Sequence, residues 1–137
     1  MRGYDERSYG DGFADVYDDW YPDVSDVDAT VARMVSLAGT NGRVLELGVG
    51  TGRLALPMAE AGLAVTGVDS SPAMLAKLAE RDRSGVVEVV CGDMVGALPD
   101  GPFDAALVAY NTIFNLLDEA TQQRCFAAVA DRLAPGG

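Results

Sequence analysis

An apolar segment followed by three alternating glycines constrains the fold of this chain more than any other feature. Residues 43–47 are β-compatible and nearly all apolar, and residues 54–61 are compatible with a helix. Between them lie Gly48, Gly50 and Gly52. Glycine has no Cβ, so this turn can take positive φ angles and admit a ligand, with free N–H groups of the next helix directed at it. The segment predicts a strand, a turn and a helix that bind a nucleotide.

The glycine spacing indicates which nucleotide. A dinucleotide site has Gly-x-Gly-x-x-Gly, but here Arg53 takes the last position and Gly52 comes one residue earlier. Glu46 precedes the pattern. In these residues the chain resembles the class I S-adenosylmethionine-dependent methyltransferases, whose first motif is an acidic residue followed by Gly-x-Gly-x-Gly. An NAD-dependent oxidoreductase is the less favoured alternative, because it would need glycine in place of Arg53.

A second motif follows at residues 63–69, an apolar strand that ends in Asp69. A carboxylate at a strand end, about 20 residues past the glycine turn, can accept hydrogen bonds from both hydroxyls of a ribose. Asp69 is therefore the predicted ribose ligand, and the resemblance adds Ser70 as a cofactor-binding neighbour. Ser71 and Pro72 then predict a helix start, with a hydroxyl cap and proline in the first turn.

Two further strand ends carry predicted cofactor-binding residues. In the family that the chain resembles, the acid after the third strand meets the adenine amino group, which implies this role for Asp93. Met94 is predicted to pack on the adenine ring, since methionine is unbranched and polarisable. The fourth strand ends near Tyr110, where the family presents residues of the substrate side.

The order of these segments predicts the fold class. The predicted strands alternate with helices, which favours an α/β protein with a parallel sheet and right-handed crossovers. The resemblance implies a Rossmann-like three-layer α/β/α sandwich with the strand order 3-2-1-4. Strands are predicted at residues 43–48, 63–68, 86–91 and 103–110, and helices near 51–61, 71–82 and 118–133.

The amino-terminal segment is rich in aromatic and aspartate residues. We interpret residues 1–137 as one cofactor-binding domain, in which residues 1–40 form a helical lid segment and residues 41–137 the Rossmann-like core. Small-molecule members of the family carry a segment similar to residues 15–21, and by that resemblance Tyr17 and Tyr21 are predicted to contact the cofactor. The alternative is a helix anchored on the core by its rings. A helix capped by Ser25 is predicted to follow as far as Leu37, and its apolar face is Val27, Val31, Met34 and Val35.

Composition limits the partners. A net charge of −11 with scattered basic residues would repel a phosphate backbone, so we predict a small-molecule acceptor and no nucleic acid. No apolar run is long enough for a membrane span and no signal-like start is present, which favours a cytoplasmic location without membrane contact. Cys91 and Cys125 have no metal-site or disulfide spacing, so both are predicted to be core thiols, and no metal site is predicted.

The family fold normally continues beyond residue 137 into a fifth strand and an antiparallel pair. The closing residues 133–137 resemble the turn before that fifth strand, so the chain is expected to be truncated there, with the C-terminal strands of the family absent. An open sheet edge would then favour pairing with a second copy. A non-catalytic fragment that binds the cofactor or a partner is therefore a second functional hypothesis.

The resemblance implies methyl transfer from S-adenosylmethionine to a nitrogen or oxygen nucleophile of a small molecule. Such a reaction depends on alignment and desolvation more than on acid-base catalysis. The sequence contains no histidine, which suits an amine that arrives neutral. We assign no catalytic residue from the sequence.

Overall fold

The computed structural model describes residues 27–93, 96–108 and 119–137 of the 137-residue chain. Over these residues helices and strands alternate as far as the third strand, and the fourth strand follows it with no helix between them in the described ranges, which confirms the predicted α/β series. The helices are α1 (Val27–Ala38), α2 (Ala55–Glu60), α3 (Pro72–Arg81) and α4 (Glu119–Ala130), and the strands are β1 (Arg43–Leu47), β2 (Ala64–Asp69), β3 (Glu88–Cys91) and β4 (Ala105–Val108).

The strands form one parallel sheet in the order β3-β2-β1-β4. Glu46 of β1 pairs with Gly67 on β2 and with Leu107 on β4, so β1 lies inside the sheet. Helix α1 contacts α2 and β4, α2 contacts β2, and α3 contacts β2 and β3. The sheet therefore has the predicted Rossmann-like order 3-2-1-4.

Apolar clusters cover both faces of the sheet. Successive residues of a strand point to opposite faces, so Val44 joins the cluster beneath α1, α2 and α3, whereas Leu45 and Leu47 join the cluster that includes Cys125 of α4. All three β1 side chains are fully buried. A parallel strand covered on both faces is expected to be a continuous apolar run, so Glu46 is the buried exception in β1, whose other charged residue, Arg43, is exposed at its start.

Helix α1 has the predicted apolar face. Met34 is buried, and Val27, Val31 and Val35 pack against the same cluster while partly exposed. The predicted cap Ser25 lies outside the described residues. No helix in the described ranges is long and apolar enough to cross a bilayer. The cytoplasmic location stays a prediction.

Helix α2 is shorter than the helix predicted over residues 51–61. Residues 51–54 form turns, and the helix begins at Ala55. Gly52 has a φ of 88°, a left-handed conformation that an α-helix does not contain. The helix therefore cannot begin until the chain has passed Gly52.

The helix predicted over residues 118–133 is expected to bury Phe126, Val129 and Leu133, and Val129 and Leu133 do pack against the core cluster that includes Cys125 of α4. Phe126, predicted to be buried, is 57% exposed, whereas Cys125 is fully buried. Neighbouring helix residues lie about 100° apart, so the face with Cys125, Ala128 and Val129 covers the sheet and Phe126 points away. Cys91 is also not the predicted core thiol, because it is exposed at the end of the edge strand β3.

The residues after α4 return to the start of β4. Leu133 forms an isolated parallel bridge with Phe103, whose N–H donates to the carbonyl of Arg132 at 2.8 Å. The N–H of Ala134 donates to the carbonyl of Phe103 at 2.7 Å. Segment 133–137 thus lies beside Phe103, and pairing with a second copy through a sheet edge stays a prediction.

Candidate functional site

The glycine turn after β1 adopts the conformation that the sequence predicts. Gly48, Gly50 and Gly52 have φ angles of 69°, 58° and 88°, a region that side chains other than glycine rarely adopt. A Cβ on Gly52 would also lie 3.1 Å from the Cγ of Leu78 in α3. The three glycines therefore allow the chain to turn sharply and to pack closely on α3.

The N–H groups of this turn are bound mainly by the end of β2. Those of Gly48 and Val49 both donate to the carbonyl of Val68, at 2.7 and 3.1 Å. The N–H of Gly50 donates to Oδ2 of Asp69 at 2.9 Å, and that of Gly52 donates to the carbonyl of Val49 at 3.1 Å. These four N–H groups are satisfied within the protein. These hydrogen bonds thus attach the turn that follows β1 to the end of β2. The expectation from the sequence concerned other groups, the free N–H groups at the start of the next helix, and it stays a prediction.

Asp69 is the centre of this connection. It is the last residue of β2 and is half-buried. Its Oδ2 accepts the N–H of Gly50, and its Oδ1 accepts the N–H of Ser71 at 2.9 Å. A carboxylate has about four acceptor positions, so it can hold two backbone N–H groups and also receive ligand hydroxyls. The carboxylate of Asp69, which is predicted to bind the ribose, is therefore held in one orientation by the backbone N–H groups of Gly50 and Ser71.

Glu46 is buried in the neighbouring strand β1, with 3% of its surface exposed. Among the described residues its Oε1 has no hydrogen-bond partner. Burial raises the pKa of this carboxyl well above its ordinary value, and the negative charge of Asp69 raises it further. A buried acceptor without a partner is costly, so a hydrogen-bond donor or a positive charge beside Glu46 would stabilise it.

Asp93 lies in the turn after β3 and is exposed. Its Oδ1 accepts the N–H of Gly96, and its carbonyl accepts the N–H of Ala97 at 3.2 Å. The N–H of Gly92 donates to the carbonyl of Asp69 at 3.0 Å, which joins the end of β3 to the end of β2. Asp93 therefore lies at the carboxyl ends of the strands, as Asp69 does.

The structure brings together the predicted site residues that it describes. The carboxyl ends of parallel strands meet at one edge, where open α/β sheets bind their ligands. Glu46, Gly48, Gly50, Gly52, Asp69, Ser70 and Asp93 all belong to β1, β2 and β3 or to the turns that follow them. Tyr17, Tyr21, Met94 and Tyr110 lie outside the described residues.

The donor set at this edge has a definite chemical preference. Two carboxyl groups, Glu46 and Asp69, are close enough for the charge of one to raise the pKa of the other. They can accept hydrogen bonds from hydroxyl or ammonium groups, and their charge favours a cation. A pyrophosphate is poorly matched, because it would face these carboxylates while the N–H groups at residues 48–50 bind β2. The arrangement fits a hydroxylated, positively charged ligand.

Two contributing residues were not identified as site residues from the sequence. Ser71, predicted only as a helix cap, also donates its N–H to Asp69. Gly67 lies inside β2, where a Cβ would meet Val49 of the glycine turn. A glycine within a buried strand is a known sign that another backbone approaches closely, so the signal for Gly67 was present in the sequence.

Replacing Ser71 with alanine is expected to lower the stability of the protein by about 1 kcal/mol, because the N-cap of α3 is lost. The Ser71 hydroxyl accepts the N–H of Met74 at 3.2 Å and is buried. Urea unfolding at neutral pH measures the change. Ser70→Ala is the matched control, because Ser70 is half-buried and does not cap the helix. Equal stability losses in the two variants would contradict the capping role.

Comparison with known protein families gives a match over most of the chain. Residues 44–137 match the family described as "Methyltransferase domain". A curated relative, the cypemycin N-terminal methyltransferase of a Streptomyces species, is 35% identical over 94 residues. That alignment covers 69% of this chain and 38% of the relative.

Solved structures give similar results. The CcbJ methyltransferase of Streptomyces caelestis superposes with a TM-score of 0.89 and 39% identity, covering 98% of this chain and 56% of that protein. CalS10 of Micromonospora echinaspora, an amino pentose methyltransferase with bound S-adenosylmethionine, has a TM-score of 0.74 and 26% identity. The superposition covers 52% of CalS10 and 87% of this chain. The chain thus spans about two fifths to just over half of the length of these three proteins.

Proposed function

Because this chain belongs to the methyltransferase-domain family, whose members use S-adenosylmethionine, we propose that it binds this cofactor at the carboxyl ends of β1, β2 and β3 and transfers the methyl group to a small molecule. The observation that carries the proposal is the pair of Glu46 and Asp69 behind a glycine turn whose N–H groups bind β2. This donor set matches a ligand with ribose hydroxyls and positive charge.

The roles of Asp69 and Glu46 follow from their surroundings, and that of Asp93 from the family resemblance. Asp69, held by the N–H groups of Gly50 and Ser71, would accept the two ribose hydroxyls. Glu46, with its buried Oε1, would accept a hydrogen bond from the ammonium of the methionine part. Asp93, at the end of β3, would meet the adenine amino group. Ser70 and the predicted residues Met94, Tyr17, Tyr21 and Tyr110 would complete the contacts.

The cofactor, when bound, supplies a methyl group already activated by the positive sulfur. The chain therefore has to bind, orient and exclude water, and these effects account for much of the acceleration of such reactions. The backbone hydrogen bonds to Asp69 fix its carboxylate before the ligand arrives, so little conformational freedom is lost on binding. We assign no catalytic base, which suits an amine acceptor.

A small-molecule acceptor is supported by two observations. The net charge of −11 disfavours a nucleic acid and favours a neutral or cationic molecule. CalS10, which resembles this chain in structure, is described as an amino pentose methyltransferase. We therefore propose a small molecule whose nucleophile is nitrogen, with oxygen as the alternative. A domain that binds the cofactor without turnover is the second candidate.

Calorimetric titration of the 137-residue chain tests the cofactor. We expect saturable binding of S-adenosylmethionine and S-adenosylhomocysteine and no measurable binding of NAD, because NAD brings a pyrophosphate to the carboxylate pair. Binding of NAD in preference to both sulfur nucleotides would contradict the proposal. Methyl transfer from labelled cofactor to a panel of amines, alcohols and RNA then separates catalysis from binding alone and tests the acceptor class.

A further inference from the structure

Gly67 occupies a position where the backbone does not require glycine. It lies inside β2 and pairs with Glu46 of β1, and its φ is outside the left-handed region that favours glycine. A Cβ at this position would lie 2.5 Å from Cγ2, 2.6 Å from Cβ and 2.8 Å from Cγ1 of Val49. Space, and not backbone conformation, is therefore what excludes a side chain at Gly67.

Val49 could not move aside by rotating its side chain. Rotation about χ1 would move Cγ1 and Cγ2, but the contact of 2.6 Å to its Cβ would remain because that atom is attached to the backbone. Carbon atoms pack best at about 3.5–4.0 Å, so relief of the contact needs a backbone displacement of about 1 Å. Val49 is only 4% exposed and is enclosed by the core cluster on that face of the sheet.

The displacement would be transmitted directly to the candidate site. The N–H of Val49 donates to the carbonyl of Val68, and the next N–H, that of Gly50, donates to Asp69 Oδ2 at 2.9 Å. A shift of about 1 Å would stretch the Gly50 contact beyond hydrogen-bond length. Asp69 would then keep the hydrogen bond from the N–H of Ser71 but lose that from Gly50, and its carboxylate could rotate away from its present orientation.

We propose that Gly67 is a positioning residue. Because it has no side chain, it leaves the space that the side chain of Val49 occupies. Val49 in this position keeps the glycine turn hydrogen-bonded to Asp69, and this arrangement sets the affinity for the cofactor. The inference rests on the proposed cofactor site. Gly67 would therefore influence cofactor binding although it does not touch the cofactor.

A double-mutant cycle with S-adenosylhomocysteine as the probe tests this role. Gly67→Ala is expected to raise the dissociation constant about tenfold or more, since a hydrogen bond to a charged group is lost. Val49→Gly, which removes the contacting side chain, is expected to weaken binding less. In the double variant, Gly67→Ala should have no further effect, because the new Cβ no longer meets Val49. If the two substitutions weaken binding additively, the proposal is overturned.

Val65→Ala is the control for a general loss of stability, because Val65 is a buried residue of β2 that pairs with Val44, near the end of β1 opposite to the glycine turn. It should lower the melting temperature while the dissociation constant stays within about twofold. Equal losses of affinity in Val65→Ala and Gly67→Ala at matched melting temperature would overturn the positioning role. Should Gly67→Ala not fold, the comparison of Val49→Gly with the double variant decides the same question.

Hydrogen exchange of the Gly50 amide separates this inference from the proposed function, since it needs no ligand. In Gly67→Ala the Gly50 amide should exchange at least about tenfold faster than in the original chain. In Val65→Ala the ratio of its exchange rate to the rates of core amides should stay unchanged. Absence of cofactor binding by the original chain would count against the proposed function and against an effect of Gly67 on affinity, while the exchange rates would still decide whether Gly67 holds the glycine turn in place. Unchanged Gly50 exchange in Gly67→Ala would overturn the inference alone.

Discussion

Replacement of Asp69 by alanine is expected to weaken S-adenosylhomocysteine binding by about 100-fold or more, because charge-assisted hydrogen bonds of about 1.5–3 kcal/mol each are lost. Alanine would remove the proposed ribose contacts and also the acceptor for the N–H groups of Gly50 and Ser71. The glycine turn would then lose its attachment to the end of β2. Calorimetric titration measures the affinity, and circular dichroism checks that the variant is folded.

Asp104→Ala is the matched control for Asp69→Ala. Asp104 also uses a carboxylate oxygen to accept a backbone N–H, that of Arg43 at 2.8 Å. It lies at the opposite edge of the sheet, because it immediately precedes β4 and bonds to the first residue of β1. Binding should therefore change little. Similar losses of affinity in the two variants would refute a local role for Asp69.

Asp69→Asn removes the negative charge and one of the two oxygen acceptors while it keeps the size of the side chain. An amide has one oxygen acceptor, and its NH₂ group would face one of the two backbone N–H donors. We expect weaker binding than in the original chain and a lower melting temperature than that of Asp104→Ala. Binding equal to that of the original chain would mean that the negative charge of Asp69 is not required.

Glu46→Gln is expected to remove a pH dependence of stability. The pKa of Glu46 in the folded protein is raised, by burial first and by Asp69 second, above its ordinary value of 4.5. Between these two values the folded state binds more protons than the unfolded state, so the free energy of unfolding falls as pH rises, by at most about 1.4 kcal/mol per pH unit. Above the pKa that Glu46 has in the folded protein, this contribution to the free energy of unfolding is fully lost. Glutamine, which stays neutral, should abolish this contribution and stabilise the protein at high pH.

The surroundings of Glu46 support this assignment of the pH dependence. The charge of Asp69 is the one electrostatic cause of the shift among the described residues, and β4 carries no ionisable side chain. The other charged residues of the turn and helices on that face are exposed or half-buried; they are Asp28, Arg33, Arg53, Glu60, Lys77, Glu80 and Arg81. Glu46 is therefore the buried acid of this face whose ionisation opposes folding.

Urea unfolding from pH 5 to pH 8 measures the effect. Glu60→Gln is the control, because Glu60 is an exposed glutamate at the end of α2 and should leave the slope unchanged. A cationic ligand favours the ionised form of Glu46, so S-adenosylmethionine binding should release a proton and tighten as pH rises. Calorimetry in buffers of different ionisation enthalpy detects that proton. Identical pH slopes in Glu46→Gln and the original chain would contradict the prediction.

The local pattern of the sequence was sufficient to predict the series of strands and helices, and the family resemblance supplied the strand order. The apolar run of β1, the glycines after it and Asp69 at the end of the next strand each depend on near neighbours, and the structure confirms the strand order that the family resemblance implied. The exposure of Phe126 and Cys91 was not predictable in this way. It depends on which face of α4 meets the sheet and on the place of β3 at the sheet edge.

The sequence by itself determined the α/β architecture, because strand periodicity, glycine conformation and helix caps are local properties, and its resemblance to the methyltransferase family supplied most of the candidate cofactor residues. The tertiary structure alone decided how those residues act on one another. Gly50 donates to Asp69, Val49 occupies the space above Gly67, and Asp69 raises the pKa of Glu46. These relations join residues about 20 positions apart, and they arise because parallel pairing of β1 with β2 places their carboxyl ends side by side.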